Sequence, residues 1–235
     1  MISQSDVSEI PGWFSGLDQS VFGFALDESR RQCGPGGLVE IGCYLGKSAI
    51  LIGDHLHPGE RLTIVDLFED LARDESNQEE VGKLYPGLTE AEFIANYSRF
   101  HSDPPRILRM DSAAVGDALA GASQRFAHVD GSHLCRKVES DIETVRRSLL
   151  PQGIVVFDDF RASHTPGVAA AVWKAVANDG LRVVASTPKK LYGTWGDPEP
   201  WRSALEKWLV QMKLPYEKQE LFHDTIIMLV VDNVW

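Results

Sequence analysis

The chain has little of what would place it outside the ordinary soluble class. It has only three cysteines, Cys33, Cys43 and Cys135, in 235 residues. They form no CxxC pair and no metal-finger spacing, and an odd count at such positions reads as reduced thiols. It lacks a positive balance. The formal net charge is −11 and the pI about 5.1, which sets the chain against phosphate backbones and excludes a general nucleic-acid binder. It lacks a long apolar run. The Ala-rich stretch 168–177 is too short to span a bilayer and carries Lys174. The first ten residues have no basic start and no apolar stretch, so no export signal is expected there. These absences together predict a cytoplasmic protein with no membrane partner. No internal repeat or low-complexity tract is present.

What is there is ordinary in bulk. Hydrophobic residues make up 43% and charged residues 24%, which supports a sizeable core in one domain over 1–235. Apolar runs alternate with helical patterns. Strands are expected at 38–42, 61–66, 106–110, 125–130, 153–158, 181–186 and 225–231. Helices are expected at 46–56, 113–120, 135–149 and 166–179, after a helical N-terminal segment that includes 11–33. This alternation predicts an α/β fold: a doubly wound, mostly parallel seven-stranded sheet with helices on both faces. The last strand is the expected antiparallel edge. Two regions, 69–100 and 188–222, read as lid or oligomer insertions. The second holds a helix and three tryptophans, Trp195, Trp201 and Trp208. Their rings suit either sugar stacking or a packed core or dimer contact.

The most informative stretch is Leu38-Val39-Glu40-Ile41-Gly42-Cys43-Tyr44-Leu45-Gly46-Lys47-Ser48. An apolar strand ends in an acid, turns through glycine and enters a helix, an outline common to nucleotide sites. Three designs compete for it. The dinucleotide fingerprint needs a glycine where Tyr44 stands. The phosphate loop matches at Gly46-Lys47-Ser48, but its first glycine falls on Ile41, a β-branched residue unsuited to the anion cradle. The third is an acidic-x-G-x-x-x-G loop for S-adenosylmethionine (SAM), fitted by Glu40, Gly42 and Gly46. A carboxylate suits a cationic sulfonium and amino group and would repel a pyrophosphate. The loop alone leaves SAM, other nucleotides and plain architecture open.

Carboxylates recur at the strand ends: Glu40, Asp66, Asp111, Asp130, and Asp158 with Asp159. One such acid is usually a turn former or a helix cap. A row along one rim repels itself unless cations or donors offset it. Asp66, about 20 residues past the glycine loop, is placed to accept from both ribose hydroxyls. Asp111 and Ser112 can receive an adenine amino group or cap a helix. Asp130, Asp158 and Asp159 follow adjacent strands, and oxygen-only ligation suits Mg²⁺. His133, just past Asp130, is the natural general base, with a capping histidine as the alternative. His128 is expected to be structural, and His164 a weaker acceptor contact.

Taken together, these residues resemble the class I SAM-dependent methyltransferases over about 36–186. Val129-Asp130-Gly131-Ser132-His133 and Gly153-Ile154-Val155-Val156-Phe157-Asp158-Asp159 resemble the metal-dependent sugar O-methyltransferases of the macrocin and mycinamicin type. Catechol-type enzymes share the metal logic but usually carry Asn where this chain has Asp159. The resemblance implies SAM held by Glu40, Gly42, Gly46, Ser48, Asp66, Asp111, Ser112 and Asp130. It implies Mg²⁺ on Asp130, Asp158 and Asp159, with His133 and Asp130 catalytic. It also implies a small-molecule or oligosaccharide acceptor and a homo-oligomer. The alternatives are a phenol acceptor, a phosphate-loop NTPase and a non-catalytic scaffold of the same fold.

Overall fold

A computed structural model describes residues 7–69, 88–119, 121, 123–222 and 224–229. The main elements among the described residues begin with helix α1 (Gly16–Cys33), then β1 (Gly37–Ile41), α2 (Lys47–Asp54), β2 (Leu62–Asp66), α3 (Glu90–Tyr97) and β3 (Arg106–Arg109). Two short 3₁₀ turns lead into β4 (Gln124–Val129), α4 (Cys135–Ser148), β5 (Leu149–Phe157) and α5 (Pro166–Asn178). The last elements are β6 (Arg182–Ser186), β7 (Leu191–Thr194), α6 (Glu199–Met212), β8 (Tyr216–Leu221) and β9 (Asp224–Leu229).

The strands form one sheet in the order β3-β2-β1-β4-β5-β7-β6-β9-β8. Strands β1 to β5 pair in parallel, so their C-terminal ends share one rim. The order reverses between β1 and β4, and the crevice outside such a reversal is where α/β sheets bind ligands. Nine strands stand among the described residues, where seven were expected. The extra two, β7 and β8, come from 188–222. That region therefore builds sheet as well as carrying α6. β7 lies antiparallel between β5 and β6. The antiparallel edge exists, but it is β8; the closing strand β9 runs parallel to β6. The sequence Tyr216-Glu217-Lys218-Gln219-Glu220-Leu221 hid this strand, because an exposed edge favours charge over apolar alternation. The expected helix at 113–120 is instead two 3₁₀ turns, Ser112–Ala114 and Gly116–Leu119. Of the expected insertion 69–100, residues 70–87 lie outside the described residues, and α3 forms most of what remains.

Strand alternation divides the core in two. Leu38, Ile64, Phe126 and Val156 face a layer built by α1, α2, α3 and α6. Val39, Ile41, Ala127, Val129 and Phe157 face α4 and α5. At the N-terminal rim, away from the site, Arg125 is fully buried. It donates to Glu60 Oε2 at 2.9 Å, Leu26 O at 2.6 Å and His55 O at 2.9 Å, pinning α1 to the sheet. The three tryptophans of 188–222 serve the frame. Trp201 is fully buried and donates to Gln152 O at 3.2 Å. Trp195 donates to Asp179 O at 3.2 Å, and Trp208 packs on Phe24 of α1 with centroids 5.1 Å apart. Among the described residues no helix is long and apolar enough to cross a membrane.

Candidate active site

The β1–α2 loop is shaped by its glycines. Gly42 has φ +78° and Gly46 φ +93°, and Tyr44 between them also takes a positive φ of 45°. A Cβ on Gly42 would collide with the backbone carbonyl of Asp130, so only glycine lets β1 and β4 end side by side. The loop is tied to its neighbours by hydrogen bonds. Gly42 N donates to Val65 O at 2.9 Å and Cys43 N to Asp66 Oδ2 at 2.9 Å. Asp66 Oδ1 accepts from Phe68 N at 2.8 Å. The acid at the end of β2 thus organises two turns at once, a task beyond the sugar contact expected of it. Burial, partly countered by these two backbone donors, raises its pKa.

Below this loop the rim opens into a cavity of about 620 Å³, within the usual range for small-molecule sites. Of the residues expected at the site, Gly42, Ser48, Asp66, Asp111, Ser112, Asp130, His133, Asp158 and Asp159 line it. Glu40 and Gly46 are not among its lining residues. Glu40 is fully buried and its Oε1 faces His128 Nδ1 at 2.8 Å. It shares the α1 face of the sheet with Leu38, so the carboxylate expected beside the loop reaches His128 rather than the cavity lining. Gly46 instead packs its bare Cα near Phe93, whose ring a Cβ would approach to 3.0 Å. Asp111 caps the first 3₁₀ turn through Ala113 N at 3.0 Å and pairs with Lys137 Nζ at 2.8 Å.

The acids after β4 and β5 split into two groups. Asp130 N donates to Ile41 O at 2.8 Å and Asp158 N to Val129 O at 3.0 Å, which sets the two residues on neighbouring strand ends. Ligand atoms of His128, Asp130 and Asp158 all lie within 4.8 Å of one another. Asp159 stands apart from that trio. Its backbone turns left-handed at φ 51°, and its Oδ2 lies 3.3 Å from His133 Nε2. Its other oxygen is 3.9 Å from Lys189 Nζ. Burial, and then the charge of Asp158, push Asp130 well above the usual carboxylate range. Burial also works against Asp158, yet the Lys190 ammonium beside it holds that carboxyl below the usual range. His164 lines the same cavity, with its ring centroid 6.4 Å from that of His133.

Several cavity residues carry no signal in the glycine or acid patterns. Lys190, fully buried, pairs with Asp158. A pair of lysines one turn past a strand end was its only sequence cue. The segment 11–15 folds over the loop as a strap. Lys47, which ends the phosphate-loop match, donates its ammonium to Gly12 O at 3.0 Å and so holds that strap. Trp13, 74% exposed, stacks on Tyr44 at 6.0 Å and 20°.

Comparison with known proteins agrees with this geometry. Residues 39–160 match a family model described as a methyltransferase domain. Among curated proteins no sequence matches the chain. Solved structures are similar in fold. The O-methyltransferase NovP superposes with a TM-score of 0.62 at 16% identity, over 76% of this chain and 79% of its own. An O-methyltransferase from Bacillus cereus in complex with SAH gives 0.54 at 13%, over 83% and 92%. CalS11, a TDP-rhamnose 3'-O-methyltransferase of calicheamicin biosynthesis, gives 0.51 at 20%, over 78% and 82%.

Proposed function

The chain belongs to the methyltransferase-domain family and has the fold of known O-methyltransferases, and on that premise we propose that it methylates a hydroxyl of a sugar or glycoside from SAM with Mg²⁺ as a second cofactor. One observation carries the reading. The Gly42–Ser48 loop and the Asp130–Asp158 pair open into the same cavity, so a donor on the first and an acceptor on the second would meet.

The donor set fits a divalent cation. It is oxygen-rich, it sets the charges of Asp158 and Asp159 close to Asp130, and His128 Nε2 is buried beside it with no hydrogen-bond partner among the described residues. Asp130 and Asp158 would hold the ion with His128 Nε2 as the third ligand; Asp159, expected as a ligand, stands apart from them beside His133. When bound, SAM supplies a methyl group on a sulfonium leaving group, and Mg²⁺ supplies an electrophile for neighbouring hydroxyl oxygens.

The remaining work belongs to the chain. Gly42 and Asp66 fix the loop that holds the donor, with Ser48 at the start of α2 and Ser112 with Asp111 at the far wall. His133 takes the acceptor proton, and Asp159 at 3.3 Å stabilises the imidazolium that forms. The strap 11–15 limits water and presents aromatic faces to the acceptor. Catalysis is then mainly positioning of two reactants along one axis. Those aromatic faces, Trp13 and Tyr44, suit a flat phenol as well as a sugar ring, which keeps a catechol-type acceptor as a second reading. Homo-oligomeric assembly and a cytoplasmic site of action rest on the resemblance and the composition; light scattering on the eluting protein tests the first.

The test is label transfer from methyl-labelled SAM to a panel of glycosides and catechols, with Mg²⁺ or EDTA. Label on a glycoside, lost with EDTA and in Asp158→Ala, is expected. Label that survives both removes the metal from the account, and label on catechols alone moves the acceptor class. Protection from heat by S-adenosylhomocysteine and none by ATP excludes the phosphate-loop alternative.

A further inference from the structure

Lys190 occupies a rare place for an ammonium group. Its side chain is 2% exposed, and its Nζ pairs with Asp158 Oδ2. The other oxygen of Asp158 accepts from Asp159 N at 2.7 Å. Both oxygens are therefore engaged within the protein. The ammonium is also 4.9 Å from the Phe14 ring centroid and 6.0 Å from that of Phe22. One side of it meets a carboxylate and the other meets aromatic faces.

The backbone that delivers Lys190 is built for the purpose. β6 and β7 are joined by the hairpin Thr187-Pro188-Lys189-Lys190. Thr187 N donates to Lys190 O at 2.9 Å, and Lys190 N donates to Thr187 Oγ1 at 2.9 Å. The Thr187 hydroxyl donates to Asp18 Oδ1 on α1 at 2.6 Å. The turn is braced internally and tied to α1, so an exchange needs only the lysine stem to move.

The oxygen that Lys190 holds also faces His128. His128 Nε2 is buried, has no hydrogen-bond partner among the described residues, and lies 3.9 Å from Asp158 Oδ2. Its Nδ1 is engaged with Glu40, which fixes the ring. A divalent ion among His128, Asp130 and Asp158 needs an oxygen of Asp158 at about 2.0–2.6 Å. An ammonium in contact with that same oxygen would stand beside the ion and repel it.

We propose that Lys190 is a resident cation of this cluster and exchanges with the divalent ion for Asp158 Oδ2. It holds the carboxylates together while the metal is away. It leaves Asp158 when the metal binds, and the Phe14 face receives the displaced ammonium through a cation–π contact. Lys190 is thus a positioning residue that sets how weakly the metal is held. The inference rests on the metal part of the proposed function.

The probe is Mn²⁺, titrated calorimetrically into metal-free protein and followed by the EPR signal of the free ion. Wild type, Lys190→Met and Lys190→Arg are compared, each with a melting curve in chelator and in Mn²⁺. Lys190→Met is expected to bind Mn²⁺ at least tenfold tighter than wild type. Its melting temperature should fall in chelator and recover with Mn²⁺ by more than the wild type gains. Lys190→Arg keeps the charge and should bind no tighter than wild type. A purely structural ion pair would lower the melting temperature in both buffers and leave the affinity unimproved, which overturns the exchange alone. Mn²⁺ binding by neither wild type nor Lys190→Met, with S-adenosylhomocysteine still bound, overturns the metal reading as well. If Lys190→Met folds only with metal, Lys190→Gln prepared in Mn²⁺ and then dialysed gives the same comparison.

Discussion

Gly42→Ala tests the geometry of the site with the least chemistry. At φ +78° an alanine pays the left-handed penalty, about 1–2 kcal/mol. The added Cβ also meets the backbone carbonyl of Asp130 and the Cα of Gly131, neither of which can rotate away. The peptides on both sides are pinned, by Gly42 N to Val65 O and by Asp130 N to Ile41 O. Relief therefore requires the ends of β1 and β4 to separate, at an overpacking cost of about 1–3 kcal/mol. The sum is about 3 kcal/mol of lost unfolding free energy, read from denaturant curves of the ligand-free protein. Displacing the loop and Asp130 together should also weaken S-adenosylhomocysteine at least tenfold by calorimetry. Two neighbouring glycines calibrate the reading. Gly46→Ala strains the same loop, but its Cβ meets only the Phe93 ring at 3.0 Å, which can tilt, so about 1–2 kcal/mol is expected. Gly131→Ala has no positive φ, and its nearest contact is ordinary at 3.5 Å, so the change should stay within about 0.5 kcal/mol. A Gly42→Ala protein as stable as Gly131→Ala, with undiminished ligand binding, refutes the argument.

Three further outcomes are expected. Burial pushes Asp141 up to about 7, and a raised carboxyl costs nothing below its ordinary pKa and destabilises progressively as pH rises toward the folded value. Asp141→Asn should therefore gain stability relative to wild type by about 3 kcal/mol more at about pH 8.5 than at about pH 5; a pH-independent difference in denaturant curves would contradict this. Arg125→Met strips Glu60, 2% exposed, of its buried partner, and although Arg30 and two N–H groups remain, a loss of about 3 kcal/mol is expected by thermal unfolding. Asp66→Asn keeps shape but leaves one acceptor oxygen for the Cys43 and Phe68 N–H groups, so about 1–2 kcal/mol of stability should go together with ligand affinity; a drop in affinity with no loss of stability would mean that Asp66 serves the ligand alone.

Most of the frame was legible because its cues are local. Strands β1, β2, β4 and β5 are short apolar runs, and their order against helices dictates a parallel sheet with one ligand rim. The acids Asp66, Asp130 and Asp158 could be placed on that rim from their positions alone. β7 and β8 escaped notice. Leu191-Tyr192-Gly193-Thr194 is too short to show a period, and β8 is charged because an edge tolerates charge. Glu40's partner was hidden for a related reason: a strand end fixes height along the sheet, but the face is set by alternation, which sends Glu40 toward α1 and His128.

The amino-acid order by itself determined the layers, the rim and which residue types would stand along it, since periods of 2 and 3.6 and glycine turns act over a few neighbours. Only the tertiary structure decided which charges meet there. Lys190 reaches Asp158 across 32 residues and Thr187 reaches Asp18 across 169, while Lys47 is spent on Gly12 rather than on a phosphate. Such pairings depend on how separate elements dock, and a buried charge takes whichever partner docking brings within reach.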